Sequence, residues 1–77
     1  MRVLGYSMDY VREKQRPCVT VQTGFLWFTK RSTYVCMNVG FRAEWINYNT
    51  GDRVETGSKL YEFLNKAGVK GQLEGVW

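Results

Sequence analysis

Apolar and polar residues alternate through much of the first half of the chain, which is the pattern of half-buried β-strands. Alternation with period two over residues 4–10 predicts a first strand. Polar residues 12–16, closed by Pro17, predict a loop or a ragged strand end. Residues 18–28 are rich in valine, threonine and aromatic side chains and predict a second strand.

Two further turns are predicted from short polar segments. Residues 29–32 suit a hairpin turn and lead into a long third strand over residues 33–48. We expect that strand to bend near Gly40, because a glycine inside a strand often marks a bulge. Residues 49–52 fit a type I turn with a glycine at positive φ, so residues 53–55 should pair back as a short fourth strand.

One helix is predicted near the C-terminal end. Ser58 can cap its first turn, and Gly68 can take the left-handed conformation that ends it. The apolar stripe between them consists of Leu60, Phe63, Leu64 and Ala67. Residues 69–77 are expected to add an edge strand or to hold a loop in place. The predicted fold is therefore α+β: an antiparallel meander of about four strands with one C-terminal helix packed on one face.

Length and composition place the chain among small folded domains. Its 77 residues are 44% hydrophobic and 23% charged, which favours one domain over residues 1–77 with a modest core. The longest apolar run covers residues 25–28, far short of the roughly 20 residues that a membrane span needs. The first residues lack the apolar stretch of a signal peptide. We therefore expect a cytoplasmic protein that does not bind membranes.

Catalytic and metal-binding signatures are missing from the sequence. The chain has no histidine, which removes the commonest general base and the commonest metal ligand. Its carboxylates are scattered, and Glu44 with Glu55 is the only pair that a hairpin would bring together. Cys18 and Cys36 form no CxxC motif, so we expect two reduced thiols, with a disulfide in an exported protein as the alternative. The sequence predicts a protein that is not an enzyme and that has no cofactor and no metal.

The parity of the strands divides their side chains between two faces. The rows expected under the helix are Val19, Val21, Phe25 and Trp27, and Val35, Met37, Val39, Phe41, Ala43 and Trp45. The opposite face is expected to be open, with aromatic and basic side chains on it or at its hairpin turn. The predicted partner-binding residues are Phe28, Lys30, Arg31, Tyr34, Arg42 and Tyr48.

The charge distribution supports a binding role for this face. Residues 1–42 carry seven basic and two acidic groups, whereas residues 43–77 carry four basic and five acidic groups. Aromatic side chains and arginine dominate the energetics of protein interfaces, so the main hypothesis is binding to a larger protein or nucleoprotein complex. The same groups also suit single-stranded RNA or DNA, on which bases stack and phosphates pair. A homodimer that joins two sheet edges is a third alternative.

In its general features the chain resembles the small proteins that bacteriophages and other mobile elements encode. Those proteins are short and rich in aromatic residues, have few strands and one helix, and lack catalytic signatures. The resemblance covers the chain as a whole and no single motif. It implies a non-enzymatic accessory protein that binds a host enzyme or defence complex and alters its activity, of which an inhibitor is one case.

Overall fold

Four antiparallel strands and one helix make up the described part of the chain, residues 1–25, 27–39 and 42–76 of a computed structural model. The side chains of Phe25, Asn38, Val39 and Arg42 lie outside the description. The elements are β1 (Arg2–Val11), β2 (Lys14–Phe25), β3 (Phe28–Val39), β4 (Arg42–Asn47) and α1 (Lys59–Leu73). The strands form one sheet in the order β1-β2-β3-β4, and α1 packs on one face. The predicted α+β meander with a C-terminal helix is confirmed.

The hairpin between β1 and β2 is tighter than the polar pattern suggested. Val11 pairs with Lys14, so only Arg12 and Glu13 connect the strands, with φ of 50° and 66°. Positive φ at both central residues is the geometry of a type I′ turn, whose twist matches that of the flanking strands. The predicted loop over residues 12–16 is therefore only two residues long, and residues 14–16 belong to β2.

The hairpin between β2 and β3 lies earlier in the chain than predicted. Phe25 pairs with Phe28, so the chain reverses between them. The turn predicted over residues 29–32 is wrong, and those residues belong to β3. Polarity alone misled the prediction, because Thr29, Lys30 and Arg31 are exposed residues of a strand and Ser32 is buried on its helix side.

The long third strand predicted over residues 33–48 is also wrong. Residues 33–39 are the second half of β3, and Arg42–Asn47 forms β4. The two strands pair antiparallel, with Tyr34 opposite Asn47 at one end and Val39 opposite Arg42 at the other. The predicted bend at Gly40 falls on a residue outside the described part. Residues 53–55 contribute one bridge, between Ile46 and Arg53. The predicted number of strands is therefore right, although the chain is divided among them differently.

Strand register decides which side chains face α1. Val19 pairs with Tyr34, and Cys36 pairs with Trp45, so these residues share the helix side of the sheet. Trp45 was expected there and is fully buried. The helix-facing row of β3 is Ser32, Tyr34 and Cys36. Val35 and Met37, expected under the helix, lie on the opposite side, which we call the outer face.

The helix forms where the sequence predicts and ends later. The Ser58 hydroxyl accepts a hydrogen bond from the Tyr61 N–H (3.1 Å) and caps the first turn. The predicted apolar stripe faces the sheet, with Leu64 and Ala67 buried and Leu60 and Phe63 half-buried. The predicted end at Gly68 is wrong, since the helix continues to Leu73 and replaces the expected edge strand or loop.

Three aromatic side chains tie α1 to the sheet through their polar atoms. Trp45 Nε1 donates to Asn65 Oδ1 (2.9 Å), and the Tyr61 hydroxyl donates to the Ala43 carbonyl (2.8 Å). The Tyr6 hydroxyl donates to the carbonyl of Ala67 (3.0 Å). The Tyr6 ring lies so close to α1 that a Cβ on Gly71 would be 2.7 Å from its Cε1. The helix is thereby fixed to β4 and to β1.

Candidate interaction surface

The outer face carries a small apolar cluster of its own. Its buried members are Cys18, Val35 and Met37, and Val11 and Ile46 are half-buried against them. The Arg16 guanidinium donates to the Val11 carbonyl (2.9 Å) at the border of this cluster. The centre of the outer face is therefore apolar and buried. The sequence had led us to expect a broad surface of polar and aromatic side chains.

The two cysteines form no disulfide and lie on opposite sides of the sheet. Cys18 belongs to the cluster on the outer face, whereas Cys36 packs against the helix-side core. A disulfide between them would have to pass through the sheet, so the alternative of a Cys18–Cys36 bridge is wrong. Two thiols, the arrangement expected for a reduced protein, are what the structure has.

Burial raises the pKa of the Cys18 thiol from 9.0 to about 11, and the charge of Asp9 adds to the shift. Above pH 9 the thiol ionises in the unfolded chain but stays protonated in the folded one. We therefore expect Cys18 to contribute a loss of stability between pH 9 and 11 and none below that range. Urea unfolding of the wild type and of Cys18→Ala as a function of pH isolates this contribution. Parallel pH profiles of the two proteins would contradict it.

Three of the predicted binding residues lie close together at the start of β3. Phe28 is 80% exposed, and Lys30 and Arg31 are also exposed. Alternation along the strand places Phe28 and Lys30 on the helix side and Arg31 on the outer face. The expected place of Phe28 on the face opposite the helix is therefore wrong, because the register of β2 and β3 gives it the same side as Tyr34. The structure therefore brings these three residues together around one strand end, which α1 does not cover.

The other three predicted binding residues lie elsewhere. Tyr34 is 8% exposed within the helix-side core, so its expected place on an open face is wrong. The physical reason is the register of β2 and β3, which pairs Tyr34 with the buried Val19. Tyr48 follows β4 and is 50% exposed beside the cavity of about 190 Å³ on the outer face. Arg42 begins β4, and its side chain lies outside the described part.

Trp27 is the functional candidate that the sequence pattern missed. It was expected in the core under the helix, but it is 87% exposed in the turn beside Phe28. Gly24, three residues earlier, has a φ of 131°, a value that side chains rarely permit. A glycine interrupting an apolar run was the available sign of a hairpin, since glycine commonly supplies such turns.

Basic charge surrounds the same hairpin. Arg2 pairs with Gln22, which pairs with Arg31, so the two arginines flank Gln22 on the outer face. Two strand spacings separate them, about 10 Å. Between residues 14 and 43 the sequence has five basic residues and no acidic one. We call Arg2, Trp27, Phe28, Lys30 and Arg31 the hairpin-tip surface.

Other kinds of site find little support in the described residues. Within residues 1–25, 27–39 and 42–76, no three potential ligand side chains cluster to hold a metal ion. Glu44, one of the two carboxylates considered as a pair, forms an ion pair with Arg53. None of the described helical residues forms a segment long and apolar enough to cross a membrane. Comparisons of the chain with protein-family models, with curated proteins and with solved structures find no match.

Proposed function

We propose that this chain is a cytoplasmic, non-enzymatic binding protein that engages a larger host protein or nucleoprotein complex through the hairpin-tip surface. The resemblance to phage-encoded proteins implies that binding alters the activity of that host assembly, and inhibition is the effect we propose. The observation that carries the proposal is the exposure of Trp27 and Phe28 side by side, at 87% and 80%. Tryptophan and arginine, both present here, are the residue types that most often dominate binding energy.

The arrangement of the tip favours a partner that buries the aromatic rings. An aromatic side chain removes roughly 150–250 Å² from water when it is buried, which is a large contribution for a small interface. Trp27 and Phe28 stand at the end of a two-stranded projection, where a concave partner surface can enclose them. The surrounding cations then orient the encounter and add specificity.

Direct binding of single-stranded RNA or DNA is the second candidate. It is supported by the same aromatic side chains, on which bases stack, and by the absence of acidic residues between positions 14 and 43. Neutralising three phosphates of a single strand with Arg2, Lys30 and Arg31 would give a salt slope of roughly −2 in log–log units. A partner held mainly by buried aromatic rings would show a much weaker dependence on salt.

The proposal is tested by using the wild-type protein and a hairpin-tip variant as baits for affinity capture from host lysate. Each capture is run with and without nuclease. We expect a stoichiometric protein that survives nuclease, and at least a tenfold loss of its affinity in Trp27→Ser/Arg31→Glu. The matched control is Tyr10→Ser/Lys59→Glu, which removes an exposed aromatic ring and reverses a charge elsewhere. Equal loss in the control, or no loss in the tip variant, would contradict the assignment. Recovery of nucleic acid alone would favour the second candidate.

A further inference from the structure

The hairpin tip presents different chemistry on the two sides of the sheet. Phe28 lies on the helix side, and Trp27 lies beside it in the turn. On the outer face, strand pairing places Arg2, Gln22 and Arg31 in one row. The aromatic rings and the two arginines therefore contact different parts of any partner that binds the tip.

A cavity of about 190 Å³ lies beside this row on the outer face. Its lining includes Arg2, Gln22, Gly24 and Thr29. Gly24 pairs with Thr29 next to the turn, and because it has no side chain it leaves open space beside the Gln22 amide. Guanidinium, amide and hydroxyl groups can all donate hydrogen bonds to an occupant of the cavity. Such a lining suits an anion.

No carboxylate within the described ranges neutralises the two arginines. The ion pair found there joins Arg53 to Glu44. Asp9 and Glu13, the acidic residues nearest to Arg2 in the sequence, lie toward the other end of the hairpin that β1 and β2 form. Both arginines of the tip are exposed. Their charge is therefore available to a partner.

The spacing of cations on the outer face fits one anionic group better than a series of them. Arg2 and Arg31 are separated by two strand spacings, about 10 Å, so their long side chains can converge above Gln22. The next basic residue of β2 on this face, Arg16, is six residues from Gln22, about 20 Å along the strand. Its guanidinium already donates to the Val11 carbonyl. A nucleic acid strand following this face would leave the cations after one phosphate and reach the apolar cluster.

We propose that Arg2 and Arg31 bind one carboxylate side chain, an aspartate or glutamate of the partner protein, on the outer face of the hairpin tip. The two guanidinium groups supply charge and hydrogen bonds, and the Gln22 amide donates between them. This inference rests on the function proposed above and specifies the partner. That protein presents an acidic side chain next to the apolar surface that encloses the aromatic rings of the tip.

Selection from a displayed library of random dodecapeptides, with the full chain as bait, tests this inference. We expect enriched peptides that combine apolar side chains with an excess of aspartate and glutamate over lysine and arginine. The affinity of a synthetic enriched peptide should fall about tenfold in Arg2→Gln/Arg31→Gln. It should stay within about twofold in Lys59→Gln/Lys70→Gln, the matched control, which removes two exposed positive charges elsewhere.

The acidic residue of the peptide is identified by its coupling to the arginines. Its replacement by the corresponding amide should weaken binding to the wild type about tenfold. The same replacement should have less than a twofold effect on binding to Arg2→Gln/Arg31→Gln, because that variant has already lost the interaction. Independent losses that multiply in the combined measurement would contradict a contact between these groups.

The outcomes separate this inference from the proposal on which it rests. If Trp27→Ser weakens the peptide while Arg2→Gln/Arg31→Gln binds it normally, the tip is the binding surface and the carboxylate contact is wrong. If neither variant changes the affinity, the peptide binds elsewhere and both assignments fail. A selection that enriches no peptide, or peptides without an acidic excess, overturns the inference alone. Tighter binding of a decathymidylate than of any selected peptide, lost in Arg2→Gln/Arg31→Gln, would assign the two arginines to phosphate.

Discussion

Replacing Leu64 by alanine is expected to lower the free energy of unfolding by about 3–5 kcal/mol. Leu64 has no exposed surface and lies in the cluster where α1 meets the sheet, with Val19, Val21 and Trp45. The accessible surface of the protein, 5823 Å², exceeds the roughly 4,800 Å² typical of a folded chain of 9.0 kDa. A small core therefore holds the fold, and one cavity in it removes a large share of a total stability of about 5–15 kcal/mol.

Leu73→Ala provides the matched control for this experiment. Leu73 is the last residue of the same helix and is 83% exposed, so the same substitution should change the stability by no more than about 0.5 kcal/mol. Urea unfolding followed by far-ultraviolet circular dichroism measures both. Equal costs for Leu64→Ala and Leu73→Ala would show that α1 packs on the sheet by a different face.

The helix was predictable because its information is local. The capping serine and the spacing of Leu60, Phe63, Leu64 and Ala67 define both its start and its buried face, and the structure confirms them. Its end was not predictable from Gly68, because a glycine can end a helix or continue it. Gly71 is buried in the last turns, where the Tyr6 ring leaves no room for a side chain. That contact joins the two ends of the chain and has no local signature.

Which side chains of β3 face α1 was not predictable, because it depends on the register between the strands. A shift of one residue in the pairing moves every side chain of a strand to the other face. Tyr34 and Val35 are both compatible with burial, and the position of the preceding turn decides which of them faces α1. The prediction assigned the apolar row that contains Val35 and Met37 to the helix side, so Tyr34 was assigned to the wrong face.

The candidate site was partly predictable from composition. The sequence showed aromatic and basic residues near the second hairpin, and the structure places Phe28, Lys30 and Arg31 there together. Trp27 was missed because it continues the period-two pattern of Val19 and Val21, which assigned it to the buried face of a strand. The pattern does not show that the chain has already turned at this position. A cavity of about 590 Å³ between β1 and α1 was not predictable, because it needs the helix and the first strand in contact, which only the folded chain provides.

Gly24→Ala is expected to destabilise the protein by at least about 3 kcal/mol. The residue has a φ of 131°, in a region that L side chains rarely adopt, and a Cβ there would overlap the carbonyl oxygen of Phe28. Gly24 pairs with Thr29 at the base of the tip, so its backbone cannot relax without opening the end of the hairpin. Chemical unfolding measures the loss of stability, and hydrogen exchange of the Thr29 and Lys30 amides reports whether the tip opens first.

Two other glycines separate the effects that act at Gly24. Gly51 has a φ of 78° with no atom within 4 Å of a Cβ, so Gly51→Ala should cost only the backbone strain, about 1–2 kcal/mol. Gly5 has neither a positive φ nor a nearby atom, and Gly5→Ala should be nearly neutral. If Gly24→Ala costs no more than Gly51→Ala, the overlap with Phe28 is not a real constraint. If it costs more and also weakens binding at the tip, then Gly24 fixes the backbone on which Trp27 and Phe28 are presented.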